Sequence, residues 1–198
     1  TPSWTFSITL ANNNPIILNG SLNIAGGTGP INLGNGGVSL TGSRAVNLSN
    51  GSLSISGAIT NSGGTGFVVT VNFGEYNYGL TLNGSNTFDG GLTLRTATNS
   101  SSETLNIGNL GVDTTASAIG TGPLTISPQG GTLRINNSSG ADGILATHNT
   151  QNWKGPFTYV GSYNLNMGTG VVTLVTNVTV TVSAKTLTIG GPIGDGTN

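Results

Sequence analysis

Six carboxylates are the groups in this sequence best suited to acid–base chemistry. They are spread along the chain as Glu75, Asp89, Glu103, Asp113, Asp142 and Asp195. Glycoside hydrolysis needs two carboxylates roughly 5–10 Å apart, and only a stacked fold would bring a pair such as Asp89 and Asp113 together. Three of the four aspartates are followed by glycine, which is typical of turns. We therefore assign no catalytic residue, and a polysaccharide-degrading enzyme is the least favoured alternative.

His148 is the single histidine, and it lies in the polar stretch ILATHNTQNW at 144–153. The chain has no cysteine, so thiolate chemistry and cysteine-based metal sites are excluded. Calcium-binding glycine repeats carry an aspartate after the glycines, and neither GGTGPI at 26–31 nor GGTGFV at 63–68 does. The sequence therefore predicts a loop histidine, no metal site and no cofactor.

Aromatic side chains fall into two loose groups that offer surfaces for ligand contact. The groups are Phe67, Phe73, Tyr76 and Tyr78, and then Trp153, Phe157, Tyr159 and Tyr163. Tyr76, Tyr78 and Trp153 are our candidates for contact with a sugar or a partner. The alternative interpretation, which we favour for the groups as a whole, is that these rings fill the interior of the fold.

The composition excludes several classes of protein. Only 6% of the 198 residues are charged and the formal net charge is −1, so no basic surface is available to hold nucleic acid. No apolar run is long enough to span a membrane as a helix. The chain starts at Thr1 without an apolar leader, and we expect an exported protein or an internal piece of one.

Short apolar–polar–apolar triplets recur along the chain, which is the pattern of half-buried strands. They begin at residues 22, 31, 38, 46, 53, 80, 92, 105, 124, 133, 165, 178 and 187. An antiparallel sandwich would place Lys and Glu on its outer faces, whereas the polar positions here are Thr, Asn and Ser. The pattern favours an all-β parallel β-helix, or solenoid, spanning residues 1–198 in roughly 8–9 coils of roughly 22–25 residues.

The sequence also contains an internal repeat. Residues 31–59 align without a gap on residues 165–193, at an offset of 134, with eleven identical pairs that include Gly36/Gly170 and Gly57/Gly191. A solenoid that stops inside a repeat leaves an open end. We therefore expect a segment of a longer repetitive chain, or a subunit whose ends stack on other copies.

The segment LTLNGSNTFDGGLTL at 80–94 resembles the autotransporter-associated β-strand repeat of bacterial passenger domains, with Leu82, Gly84, Asn86, Gly90 and Gly91 on its pattern. AIGTGPLTI at 118–126 and GGTL at 130–133 extend the resemblance. It implies a right-handed parallel β-helix displayed outside the cell and brings no catalytic site. For this motif we expect apolar residues inside, Asn86 bonded to backbone, and glycines at corners with positive φ or close backbone approach.

These observations predict a non-enzymatic structural segment of an extracellular bacterial surface fibre, stalk or adhesin. The expected partners are other copies of the chain or further repeats of it, and surface glycans, with no nucleic acid and no membrane insertion. A carbohydrate- or receptor-binding module is the main alternative. It would place recognition on the loops around residues 72–79 and 149–163.

Overall fold

The computed structural model describes residues 8–25, 29–99 and 102–196. The loop 26–31 and both chain termini therefore lie partly outside the described residues. Within them the chain is all β, with no helix. The strands are β1 (Ile8–Thr9), β2 (Ile16–Leu18), β3 (Leu22–Ile24), β4 (Ile31–Asn32), β5 (Val38–Leu40), β6 (Arg44–Leu48), β7 (Leu53–Ile55), β8 (Ile59–Asn61), β9 (Val69–Phe73), β10 (Gly79–Leu82), β11 (Leu92–Arg95), β12 (Glu103–Ile107), β13 (Leu124–Ile126), β14 (Leu133–Asn137), β15 (Gly143–Ile144), β16 (Gln151–Trp153), β17 (Phe157–Tyr159), β18 (Leu165–Asn166), β19 (Val172–Leu174), β20 (Val180–Val182), β21 (Leu187–Thr188) and β22 (Ile193–Asp195).

These strands form three faces, and the neighbouring strands within each face are parallel. The first sheet has the order β1-β4-β7-β10-β12-β14-β17-β20, and the second has the order β3-β6-β9-β11-β13-β16-β19-β22. The third face consists of two three-stranded sheets, β2-β5-β8 and β15-β18-β21. The chain passes from the first sheet to the third face, then to the second sheet, and returns one level higher. The prediction of a parallel β-solenoid is confirmed, with about eight turns.

Turn length varies more than the sequence pattern predicts. Ile31 is in register with Leu53, twenty-two positions on, whereas Leu105 is in register with Ile135, thirty positions on. The longest turns lie in the middle of the solenoid, where the third face is built from loops instead of strands. Loop insertions at one corner leave the register of the other two faces intact.

Apolar side chains form columns inside the solenoid because equivalent positions stack from turn to turn. Leu53, Leu80 and Leu105 are aligned on the first sheet and are almost completely buried. The predicted inward residues of the family-like segment are all buried: Leu80, Leu82, Phe88, Leu92 and Leu94. Removing this apolar area from water is the main stabilisation available to a chain with so few charges.

The glycines of that segment are where the backbone comes closest. Gly91 has φ +101°, a conformation that disfavours any side chain. A Cβ on Gly84 would lie 2.3 Å from the carbonyl oxygen of Gly57, and one on Gly90 would lie 2.3 Å from that of Gly66. Both predicted roles of these glycines, positive φ and close approach, are confirmed.

The internal repeat does not correspond to a whole number of turns. Residue 31 begins β4 on the first sheet, whereas its partner at 165 begins β18 on the third face. The next aligned pair, β5 and β19, also falls on different faces. The repeat therefore pairs strands with strands but moves each one to the next face of the solenoid.

Candidate functional site

The corner that joins the second sheet to the first carries most of the candidate site residues. We call it the 2–1 corner. Its described loops are residues 49–52, 74–78, 127–132, 154–156 and 175–179, each following a second-sheet strand. Successive loops stack about 4.8 Å apart, the spacing of paired strands. Side chains on neighbouring loops can therefore contact one ligand lying along the solenoid axis.

Tyr76 and Tyr78 lie together on the loop that joins β9 to β10. Their rings meet edge to face with centroids 6.1 Å apart. Tyr76 is 63% exposed, whereas Tyr78 packs against the core and its hydroxyl bonds to the Asn50 side chain on the preceding loop. Burial raises the pKa of Tyr78, and the nearby Tyr76 raises it further. Tyr78 thus holds Tyr76 outward, and Tyr76 is the ring that a ligand can reach.

Trp153 lies inside the solenoid, not on its surface. Only 4% of the residue is exposed, its Nε1 donates to Gln151 Oε1 at 3.0 Å, and its ring packs edge to face on Phe157 at 5.0 Å. The side chain of residue 153 points inward because it continues the second-sheet column of Leu94 and Ile126. This placement favours the packing interpretation of the second aromatic group. The candidate surface is therefore left with Tyr76 and Tyr78.

A surface groove opens at the 2–1 corner, two to four turns beyond the tyrosines' strand β9. Its volume is about 220 Å³, and it is lined by Gly130, Gly131, Thr132, Pro156, Phe157, Thr158, Thr179 and Thr181. Hydroxyl groups and exposed glycine backbone give it hydrogen-bonding capacity, and Pro156 and Phe157 give it an apolar patch. Nothing in the triplet pattern pointed to this groove, because it depends on how three loops of different length stack.

Asp89 and Asp113 each accept hydrogen bonds from nearby residues. Asp89 Oδ1 accepts hydrogen bonds from the Asn61 side chain and from Gly66 N, the latter at 2.7 Å. Asp113 accepts from the backbone and the hydroxyl of Thr115, and these bonds lower the pKa of its carboxyl. Among the described residues, no hydrogen-bonding partner is common to the two carboxylates.

His148 lies in a loop, as predicted. Its backbone has φ 47°, and its Nδ1 accepts a hydrogen bond from Thr169 N on the next turn at 3.2 Å. This contact links two turns. Among the described residues, no group of three His, Cys, Asp or Glu side chains could hold a metal ion.

A buried polar cluster fills the part of the third face that lacks strands. Its members are Asn86, Ser117, Thr147 and Asn149, which are all buried. Asn149 Nδ2 donates to Gly120 O at 3.0 Å and to Gly122 O at 2.7 Å, and Thr147 donates to Ser117 at 2.9 Å. Each of these three bonds joins one turn to another, so this cluster supports the fold. The sequence indicated only Asn86, through the motif.

Comparison with known proteins gives no matching family model, curated protein or solved structure. No helix in the described part of the chain is long and apolar enough to cross a membrane. The fold and the 2–1 corner are therefore the basis for a functional proposal.

Proposed function

We propose that this chain is a non-enzymatic structural segment of an extracellular bacterial surface fibre, stalk or adhesin. The observation that carries the proposal is the pair of eight-stranded parallel sheets that run through all the described turns. Each turn is hydrogen-bonded to the next along the solenoid axis, and the interior columns are apolar. Such a rod can transmit force along its length and hold other regions away from a cell. The autotransporter-like motif at 80–94 supports the same placement.

The outer surface is suited to a crowded extracellular fibre because it is polar and nearly uncharged. Asparagines form ladders on it: Asn72 donates to Asn47 at 2.7 Å, and Asn136 donates to Asn106 at 3.0 Å. These bonds repeat from turn to turn and add to the backbone ladders. Two copies with so few surface charges do not repel each other electrostatically. We therefore propose that copies or further repeats associate end to end or side by side.

Surface labelling of the source cells tests this proposal. An antibody against the folded chain should label intact cells, and brief external protease treatment should remove the label. Labelling that appears only after the cells are broken open would overturn it.

Incubation with a panel of polysaccharides tests the enzymatic alternative. Polysaccharide cleavage by the wild type that disappears in Asp89→Asn would contradict a structural role.

A second candidate function is ligand binding at the 2–1 corner, and the exposure of Tyr76 is the observation that favours it. An aromatic face can stack on a sugar ring, and Tyr76 is presented by Tyr78 without contributing to the core. Tyr76→Ala should abolish retention on a glycan array while leaving the unfolding midpoint unchanged. Retention equal to that of the wild type would show that the ring plays no part in binding.

A further inference from the structure

We propose that the 2–1 corner binds an acidic saccharide, one that carries carboxylate or sulfate groups. This inference deepens the binding role suggested for Tyr76 by naming the ligand class. It rests on the cations of this corner, so its test is separate from that of the tyrosine. It does not depend on the chain being a structural fibre.

Three of the five Lys and Arg residues lie in or beside this corner on successive turns. Arg95 ends β11, Arg134 is the second residue of β14, and Lys154 directly follows β16. The strands β11, β13 and β16 are neighbours in the second sheet, and β14 begins just after the loop that leaves β13. The cations therefore occupy three consecutive levels, and Arg95 and Lys154 are roughly 9–10 Å apart along the axis.

The carboxylates of these turns lie elsewhere. Asp142 is at the corner between the first sheet and the third face, and Asp113 is in the loop of the third face. Glu103 follows the corner at the start of β12 but is fully buried, so it adds no exposed negative charge. Glu75 lies at the 2–1 corner one turn before Arg95, and Asp195 lies two strands beyond Lys154. Four turns lie between Glu75 and Asp195, and among their described residues the solvent-accessible charges in or beside this corner are the three cations.

Arg134 is the cation best placed to bind an anion. It lies between Thr104 and Thr158 on the outer side of the first sheet, and Thr158 lines the groove. Its Nε is buried and makes no hydrogen bond to any described residue. A buried guanidinium N–H without an acceptor is costly. Because this Nε is closed to solvent, a carboxylate or sulfate beside Thr158 would bond to it only after the neighbouring side chains shift.

The groove favours a saccharide over other polyanions. Thr132, Thr158, Thr179 and Thr181 supply hydroxyl groups that can bond to sugar hydroxyls, and Pro156 offers an apolar surface to a sugar ring. Strong binding to nucleic acid depends on neutralising many phosphates. Three cations, in a chain whose net charge is −1, are too few for that. One acidic group every turn or two along the axis would match the spacing of the cations.

The experiment measures binding of short oligogalacturonate, dextran sulfate and neutral dextran to the whole chain by calorimetry at low salt. The wild type should bind at least one acidic oligomer and should bind dextran much more weakly, and added salt should weaken the acidic binding. Arg134→Gln should weaken it about tenfold or more, as expected for loss of a charge-assisted hydrogen bond. Arg95→Gln and Lys154→Gln should each weaken it less, because those side chains are exposed.

Lys185→Gln is the matched control, because it removes one exposed positive charge from a loop between the first sheet and the third face. It should leave acidic-oligomer binding unchanged. Equal weakening by Lys185→Gln and Arg134→Gln would overturn the proposal, as would equal affinity for dextran and dextran sulfate. Tighter binding to single-stranded DNA than to both acidic oligomers would assign the corner to nucleic acid instead. Absence of binding to every probe would refute a ligand role for the cations, whatever Tyr76→Ala does.

Discussion

Asn86 joins three turns of the solenoid, and its replacement gives the sharpest test of how the third face is built. Its Oδ1 accepts a hydrogen bond from Ile59 N at 2.7 Å, and its Nδ2 donates to Ala118 O at 2.5 Å. Its backbone is also bridged to Ser117. Since β8 and β15 are separated by turns that have no third-face strand, this amide takes the place of a strand between Ile59 and Ala118.

Asn86→Ala should be strongly destabilising. It leaves the Ile59 N–H and the Ala118 carbonyl without partners in a buried region, and each orphaned group costs about 1–3 kcal/mol, or about 2–6 kcal/mol together. Asn86→Asp keeps the shape and the bond from Ile59 N but has no donor for Ala118 while ionised. We expect its destabilisation to decrease as the pH falls and the carboxyl gains a proton.

Urea unfolding followed by circular dichroism measures the loss of stability, and amide hydrogen exchange locates it. Exchange at Ile59 should accelerate in Asn86→Ala far more than exchange at strands in the last turns. Asn83→Ala is the control, since Asn83 is exposed and bonds only to Ser56 and the preceding turn's backbone; its effect should stay within about 0.5 kcal/mol. A loss below about 1 kcal/mol in Asn86→Ala, with Ile59 still protected, would refute the assignment of Asn86 as a bridge between turns.

Two further predictions concern the corners and the interior. Gly57→Ala should prevent the turns from stacking correctly, because the new Cβ would lie 1.8 Å from the carbonyl oxygen of Gly36. Gly20→Ala is the control: its Cβ would have nothing within 4 Å, so its thermal unfolding should match that of the wild type. The pKa of Tyr159 is raised to about 12, mainly by burial, and its hydroxyl donates to Tyr163 O. The folded state therefore favours the protonated phenol, and this stability is present below pH 10 and lost as the pH rises through about 12. Tyr159→Phe should remove that alkaline transition in a titration followed by tyrosine absorbance, and an unchanged transition would contradict it.

The triplet pattern predicted strands well where the inward residues are aliphatic. Each of the thirteen triplets overlaps a strand of the structure. The physical reason is that Leu, Ile and Val at alternate positions of a short strand all lie on one face, and they are buried only if that face points into the solenoid. The polar residue between them is then forced outward, which produced the Thr and Asn ladders that the composition suggested.

Strands with other inward residues escaped the pattern. β16 turns Gln151 and Trp153 inward, and β17 turns Phe157 and Tyr159 inward. In the sequence, Trp153, Phe157 and Tyr159 belonged to an aromatic group for which a ligand surface was one interpretation. Their burial follows from their register with Leu124, Ile126, Leu133 and Ile135, and that register depends on loop lengths that no local pattern reveals.

The cationic corner was unpredictable from the sequence for a related reason. Arg95, Arg134 and Lys154 are separated by thirty-nine and then twenty positions, so no fixed period connects them. They converge because the turn containing Arg134 is enlarged at the third face, while the first and second sheets stay in register. A patch of charge on a solenoid can thus be assembled by insertions on the opposite side of the molecule.

The two aligned segments, 31–59 and 165–193, place their matching glycines at different corners of the solenoid. A Cβ on Gly57 would meet the Gly36 carbonyl oxygen at 1.8 Å, and one on Gly191 would meet that of Gly170 at 2.0 Å. The alignment pairs Gly36 with Gly170 and Gly57 with Gly191. Gly36 and Gly57 stack at the corner between the first sheet and the third face, whereas Gly170 and Gly191 stack at the corner between the third face and the second sheet. At both corners the backbones of neighbouring turns come into contact, and glycine permits that contact because it has no Cβ. The same strand–glycine–strand sequence can therefore form either corner. What the aligned glycine pairs share is therefore the close approach of two backbones at a corner, while the corner itself differs between the two segments.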